Sequence, residues 1–315
     1  MPEGAVIIAP QIVIGDEVRL GENSSIICRD RFSAGRLTSF RRNLHVRGGT
    51  VVLGENVYGG QNIRIGGGGN ADPWALFAIG DDTFLGDDLF INICRPVLIG
   101  KEAFLTQRSI LVTHNVGHSA LDGYENRFAP IVLEDYSQVG MNCTIYAGSR
   151  IGKYAIVGSN SYVLSNVPPG KLAIGVPARV VRDSARPVDR QKQVQIARTM
   201  AREYRELLHL KGYIVSELET SPIIRFSVSH KDNKFQLIFV ETVSHFEPAE
   251  KTDETVVWTF DSPLNAFRCG MTIFNLLSKQ ISGPSGLFAD STREFLRKRG
   301  IRCQPGPWRY RGGLI

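Results

Sequence analysis

Long hydrophobic runs are missing from this 315-residue sequence; its apolar stretches fall far short of the ~18 residues that would suggest a membrane span. No basic segment followed by an apolar run and a small-residue cleavage site opens it, so no secretory leader is expected and a cytoplasmic location is. Cysteine is scarce: Cys28, Cys94, Cys143, Cys269 and Cys303 stand singly. An odd number without close pairs supports neither a disulfide framework nor a zinc knuckle, and no metal is expected. Charged residues make up 22 % against 43 % hydrophobic, too apolar a balance for wholesale disorder. The net charge of +6 raises an anionic partner without specifying one.

Glycine is abundant, with 32 residues where a usual share of ~7 % would give fewer. It does not recur every third residue, which excludes collagen. It follows aliphatic residues instead, in a train of period six. From Leu133 the aliphatics fall at Val139, Ile145, Ile151, Val157 and Val163, and Gly140, Gly152 and Gly158 directly follow theirs. Shorter blocks read likewise: Ile14-Gly15 and Leu20-Gly21; Leu53-Gly54 and Ile65-Gly66; Ile79-Gly80 and Leu85-Gly86; Ile99-Gly100, Leu105 and Leu111. A period of six fits neither a helix at 3.6 nor a plain strand at 2. It suits short flat strands joined by sharp turns, three units to a triangular coil, stacked so that coils bury one another's faces.

This train, closing on Val167-Pro168-Pro169-Gly170 and Ala173-Ile174-Gly175-Val176-Pro177-Ala178-Arg179, resembles the hexapeptide-repeat acyltransferases, and most closely the maltose, galactoside and polysaccharide O-acetyltransferases. The resemblance implies a left-handed parallel β-helix over residues 1–183, so the fold expected is mainly β, with a C-terminal α+β domain, read from its own residue pattern, behind it. It also implies a homotrimer.

Three stretches break the phase and are expected to leave the coil as loops: 27–50, rich in arginine; 66–78, with four consecutive glycines, Asn70, Asp72 and Trp74; and 112–130. Loops on a rigid scaffold are where function usually sits. Residues 184–211 read as a linker helix with Val194, Ala197, Ala201, Tyr204 and Leu208 on one face. Residues 212–315 read as a small α+β domain. It has strands near 222–229, 234–241 and 254–260, a helix opened by Ser262-Pro263 that places Leu264, Phe267, Met271 and Phe274 at helical spacing, and a capping box at Ser291 and Glu294.

Carried onto this sequence, the family's catalytic base falls on His114, with His118 as competitor. Moving an acetyl group from a thioester to a hydroxyl requires a base for the hydroxyl proton, and imidazole suits that task near neutrality. A positioned hydroxyl attacks directly, without an acyl-enzyme. Asp87 and Asp88 are candidates for orienting the base or contacting the acceptor, although Gly86 stands where the sugar acetyltransferases have asparagine. Both are equally readable as surface turn carboxylates. The resemblance places acetyl-CoA along Gly140, Ala147, Gly148, Gly158, Ser159, Asn160 and Ser161, with Lys171 and Arg179 for its phosphates.

The expected activity is acetyl-CoA-dependent O-acetylation of a saccharide or glycan, whether anionic, nucleotide-linked or lipid-linked. One rival is N-acetylation of an amino-nucleotide-sugar. Another is a non-enzymatic scaffold that binds through basic patches at Arg29–Arg47 and at Arg297, Lys298, Arg299, Arg302, Arg309 and Arg311, among which Trp308 and Tyr310 lie. No recognisable nucleic-acid module is present, so nucleic acid is disfavoured as partner. Peripheral contact with an anionic membrane stays open.

Overall fold

A six-residue step places one aliphatic inward and then bends the chain through a corner. The computed structural model describes residues 5–220, 223–241, 252–260 and 271–304. It divides into Met1–Arg186 and Pro187–Ile315.

The first unit is a left-handed parallel β-helix with three faces. On one face Ile26, Val46, Ile65, Ile91, Leu111, Ile145 and Val163 pair in unbroken parallel register, each at most 2 % exposed. A second ladder runs Leu20, Phe40, Gly59, Leu85, Leu105, Val139, Val157 and Ala173. Gly59 is required there because the Phe40 ring fills its place: a Cβ would sit 2.0 Å from Phe40 Cδ1. The remaining face carries Ala34, Leu53, Ile79, Ile99, Leu133 and Ile151.

Two corners are turned by residues in the left-handed conformation. One uses Asn23, Asn43, Asn62, Asp88, Arg108, Asn142 and Asn160, the other Glu17, Leu37, Asn56, Asp82, Glu102, Tyr136 and Tyr154. Asn and Asp tolerate that conformation and hydrogen-bond locally. Here their side chains also link coil to coil: Asn23 to Asn43 at 2.9 Å, Asn43 to Asn62 at 2.7 Å, Asn62 to Asp88 at 2.8 Å and Asn142 to Asn160 at 2.8 Å.

The third corner is different, and it corrects one expectation. Residues 27–50 do not leave the coil: Ser25–Ala34 and Leu44–Leu53 run round this corner as continuous ten-residue strands. A register shift between Cys28 and Arg31 absorbs the extra length. Gly48 and Gly49 allow the bend, since a Cβ at either would lie 2.6 Å from Ile93 Cδ1 or 2.7 Å from the Ala75 carbonyl oxygen. Arg29, Arg31, Arg41, Arg42 and Arg47 are exposed while Phe32 and Phe40 are buried. The other two stretches do leave the coil at this corner. Leu111 pairs with Ile145, 34 residues on, where Ile145 pairs with Val163 only 18 residues on.

The second unit begins earlier than the sequence suggests. The helix α1, Arg190–Leu210, buries Ala197, Met200, Ala201, Tyr204 and Leu208 in the same core as Phe226, Leu237, Trp258 and Phe295, so it is a packed element of this unit rather than a linker. Its six-stranded sheet is Ile214–Thr220, Ile223–His230, Asn233–Val240, Glu254–Thr259, Met271–Asn275 and Gln280–Ser282 in that order. The helix expected from Ser262 falls mostly outside the described residues, and its Met271 and Phe274 lie in a strand. Nor does Ser291 open the last helix. The helix α2, Leu287–Arg297, starts four residues earlier because the Glu254 carboxylate accepts the backbone N–H groups of Leu287, Phe288 and Ala289. Ser291 Oγ accepts from the buried Tyr204 hydroxyl at 2.9 Å. Trp308, Arg309, Tyr310 and Arg311 lie outside the described residues.

Candidate active site

The two excursions at the third corner meet over Asn92, which ends the strand Phe90–Asn92 and is 2 % exposed. Its Nδ2 donates to the carbonyls of Gly66 at 3.2 Å and Gly68 at 2.9 Å. Its Oδ1 accepts from Thr113 Oγ1 at 2.5 Å and from the Cys94 N–H at 3.3 Å. With two carbonyls on one side and two donors on the other, the amide has a single satisfactory orientation.

His114 Nδ1 lies 2.9 Å from the same Oδ1. An acceptor at that position requires the proton on Nδ1, which leaves the Nε2 lone pair free. The His114 ring is held further by the short antiparallel pair His114–Asn115 with Arg127–Phe128 and by stacking on Phe128, centroids 5.8 Å apart. Its Nε2 faces Gly68, where a Cβ would come within 3.3 Å. The glycine run is therefore conformational as well as spatial: Gly66, Gly67 and Gly69 have φ of 139°, 91° and 73°, which L side chains rarely adopt. A Cβ on Gly69 would lie 2.4 Å from Cys94 Sγ.

Around this centre the Arg95 guanidinium pairs with Asp72 at 3.2 Å. It lies over the rings of Phe128 and Trp74, 4.9 and 5.7 Å from their centroids. Cys94 Sγ donates to the same Asp72 carboxylate at 3.4 Å. Burial, reinforced by that carboxylate, pushes the Cys94 thiol up and keeps it protonated. Arg29 ties the loop down from two coils away, reaching past Gly49 to donate to the carbonyls of Ala71 at 2.7 Å and Asp72 at 3.1 Å. The exposed rings of Trp74 and Phe128 form a rim.

The other expected residues fall elsewhere. His118 lies on the exposed loop, its ring 4.5 Å from that of Tyr124. Asp87 and Asp88 are at the opposite end of the Phe90–Asn92 strand, roughly 13 Å of extended chain from Asn92. Asp87 accepts the Gln61 N–H at 2.8 Å and Asp88 the Asn62 amide at 2.8 Å, so both are turn residues. The polar partner of His114 is Asn92, which sequence reasoning missed. The available signal was a lone amide interrupting the aliphatic run Ile91-Asn92-Ile93.

Among the expected donor residues, Ala147 and Ser161 are buried, and Ser161 Oγ accepts the Gly175 N–H at 3.1 Å. Gly140, Ser159 and Asn160 sit at an asparagine corner, where Ser159 Oγ accepts the Met141 N–H at 3.1 Å. Gly158 packs under Ile174. Gly148 lies at the third corner, with Arg127 Nη2 2.8 Å from where its Cβ would be. Lys171 pairs with Asp183 at 2.5 Å, and Arg179 is exposed. A groove of about 510 Å³ lined by Ile79, Leu98, Leu133, Glu134 and Lys153 among others shares no residue with the His114 cluster. Among the described residues, no three His, Cys, Asp or Glu side chains converge as a metal site, and no helix is long and apolar enough to cross a membrane.

The family model for bacterial transferase hexapeptide repeats, six repeats long, matches residues 130–165. Over these residues the chain carries the six-residue repeat of the bacterial hexapeptide transferases. The chain is 27 % identical over 131 residues to the Escherichia coli protein assigned as the colanic acid biosynthesis acetyltransferase WcaF, covering 42 % of this chain and 68 % of that one. It is 25 % identical over 145 residues to the E. coli protein assigned as the lipopolysaccharide biosynthesis O-acetyl transferase WbbJ, covering 42 % and 72 %. A shorter match, 35 % over 69 residues, is to the 2,3,4,5-tetrahydropyridine-2,6-dicarboxylate N-acetyltransferase of Staphylococcus aureus, covering 22 % of this chain and 29 % of that one. At family level the protein is a CoA-dependent acyltransferase, and its relatives acylate oxygen and nitrogen alike.

Proposed function

We propose that this acyltransferase moves an acetyl group from acetyl-CoA to a hydroxyl of a saccharide, with His114 as general base. The observation that carries the reading is the Asn92 Oδ1 to His114 Nδ1 contact at 2.9 Å, which leaves Nε2, the nitrogen beside Gly68, to accept a proton. The acceptor hydroxyl gives its proton to Nε2 as its oxygen bonds to the thioester carbon. As the C–S bond then breaks, the imidazolium returns that proton to the departing sulfur. Asn92 keeps the ring in the tautomer that accepts. The exposed rings of Trp74 and Phe128 suit the apolar faces of a sugar. The two E. coli relatives, assigned to surface-polysaccharide synthesis, support a glycan acceptor. We place the donor along the late coils near Gly140, Ser159 and Asn160, with Arg179 available to its phosphates, and the protein in the cytoplasm as a trimer.

Calorimetric titration with acetyl-CoA, followed by an acceptor screen with His114→Ala beside wild type, tests the reading. Saturable binding and transfer to a sugar hydroxyl, both with the variant's turnover lost and its binding kept, are expected. No binding by the folded protein at high acetyl-CoA would overturn the donor assignment in favour of a scaffold. The match to an N-acetyltransferase favours one second reading, an amine acceptor, which amino sugars in the same screen would reveal.

A further inference from the structure

On the face that carries Asn92, basic residues stand in a row leading away from His114. Parallel pairing sets Ser25 against His45, His45 against Arg64, and Arg64 against Phe90. Arg47 lies two residues beyond His45 on the same strand, so both point to the same side. His45, Arg47 and Arg64 are exposed while the intervening Val46 and Ile65 are buried. His45 Nδ1 is held 3.0 Å from Ser25 Oγ, and the Arg64 guanidinium lies 5.7 Å over the Phe90 ring. Among the described residues no carboxylate pairs with Arg47 or Arg64, and the outward positions in this stretch (Ser25, Ile27, His45, Arg47, Arg64 and Phe90) include no acid.

The row is continuous with the site. Phe90 begins the strand that Asn92 ends, and Arg64 is one strand over from Phe90. At about 4.8 Å between strands and 3.3 Å per residue, the Arg64 backbone lies roughly 8 Å from that of Asn92, a span of one or two sugar rings. The Arg47 carbonyl oxygen comes within 2.8 Å of where a Cβ on Gly66 would be, so Arg47 borders the glycine run that covers His114. An unneutralised guanidinium pair at sugar spacing from a base is suited to bidentate capture of carboxylates. Phe90 is a lone ring beneath Arg64 and offers no run of faces on which successive bases would stack.

We propose that the acceptor is an anionic saccharide chain: Arg64 and Arg47 hold carboxylates of sugars adjoining the one whose hydroxyl reaches His114. This rests on the acyl-transfer reading above. The test is fluorescence anisotropy of end-labelled hexagalacturonate, with maltohexaose as the neutral chain of equal length and hexathymidylate as the nucleic-acid control. Wild type is expected to bind hexagalacturonate in a salt-sensitive manner and the other two far more weakly. Arg64→Ala and Arg47→Ala should each weaken that binding by about 5-fold, the size of one exposed guanidinium–carboxylate pair. Arg64→Lys should recover part of the loss, with thermal stability and acetyl-CoA titration unchanged in all three. Equal affinity for maltohexaose, equal affinity for hexathymidylate, or variants that bind as wild type would each overturn the proposal. If wild type binds hexagalacturonate but not acetyl-CoA, the acyl-transfer reading fails while the saccharide subsite stands.

Discussion

In the proposed mechanism the chemistry of the corner depends on Asn92, and replacing it separates its two jobs. Asn92→Ala deletes an oxygen that serves Thr113, Cys94 and His114 and a nitrogen that serves the Gly66 and Gly68 carbonyls. At about 1 kcal/mol net per hydrogen bond, with more where a buried partner is left unmet, the cost to stability is on the order of 2–4 kcal/mol. Activity should fall further than stability. An imidazole free to rotate and to change tautomer forfeits much of what general-base catalysis supplies, about 10²- to 10⁴-fold. The assay is the rate of CoA thiol release with a saccharide acceptor, read beside a urea melt that reports the folded fraction. Asn92→Asp sharpens the result. It keeps an acceptor oxygen for His114 but cannot donate to the Gly66 and Gly68 carbonyls, so it should retain more of the rate than Asn92→Ala while losing a comparable part of the stability. A folded Asn92→Ala that turns over at the wild-type rate, or an Asn92→Asp no faster than Asn92→Ala, would refute the positioning role.

Gly68→Ala places a methyl 3.3 Å from His114 Nε2 at a position without a left-handed backbone. It should lower kcat by about tenfold or more, a 1.4 kcal/mol effect, while changing stability little; equal kcat values would show that Nε2 is approached from elsewhere. Asp87→Ala removes the acceptor of the Gln61 N–H, so chemical denaturation should show a loss of about 0.5–1.5 kcal/mol with kcat unaltered. Burial pushes the Cys28 thiol up to about 11, with the Asp30 charge adding to it. The native state therefore keeps this proton while the unfolded chain loses it above about pH 9, and stability conferred below that pH is lost as pH rises towards 11, by up to about 2–3 kcal/mol. Urea midpoints measured from pH 8 to 10.5 should fall less steeply in Cys28→Ala than in wild type, and identical slopes would count against a buried neutral thiol.

The repeat was legible because its information is local: one inward aliphatic and one turn per six residues, recorded again in every coil. At the candidate site the loop motif points to His114, whereas Asn92 joins it only because its strand pairs beneath the one leading to His114. Counting phase from Gly86 led instead to Asp87 and Asp88, one corner away. The arginine-rich stretch was misread for a related reason. Arginines that alternate with Phe32, Val46 and Val51 are what a strand with one buried face looks like, and a single bulge hid the continuity of the register. In the second unit the start of α2 could not be read locally, because its cap is a carboxylate 33 residues upstream.

The placement of the site follows from how the corners are built. Every non-glycine residue with left-handed backbone among the described residues of the β-helix lies at one of two corners, and at one of them amide side chains join successive coils. Extra residues inserted there would break both the turn and the ladder. The third corner has no such ladder. It is turned by continuous strands in the early coils and lengthens freely in the later ones, so both long excursions emerge there, from coils close enough to pack on each other. A glycine run then closes over an imidazole from the next excursion, with one buried asparagine joining them. Repetition supplies the rigid wall, and the one corner it leaves unconstrained is where this chain brings His114 and the Asn92 amide together, with Arg47 bordering the glycine run beside them.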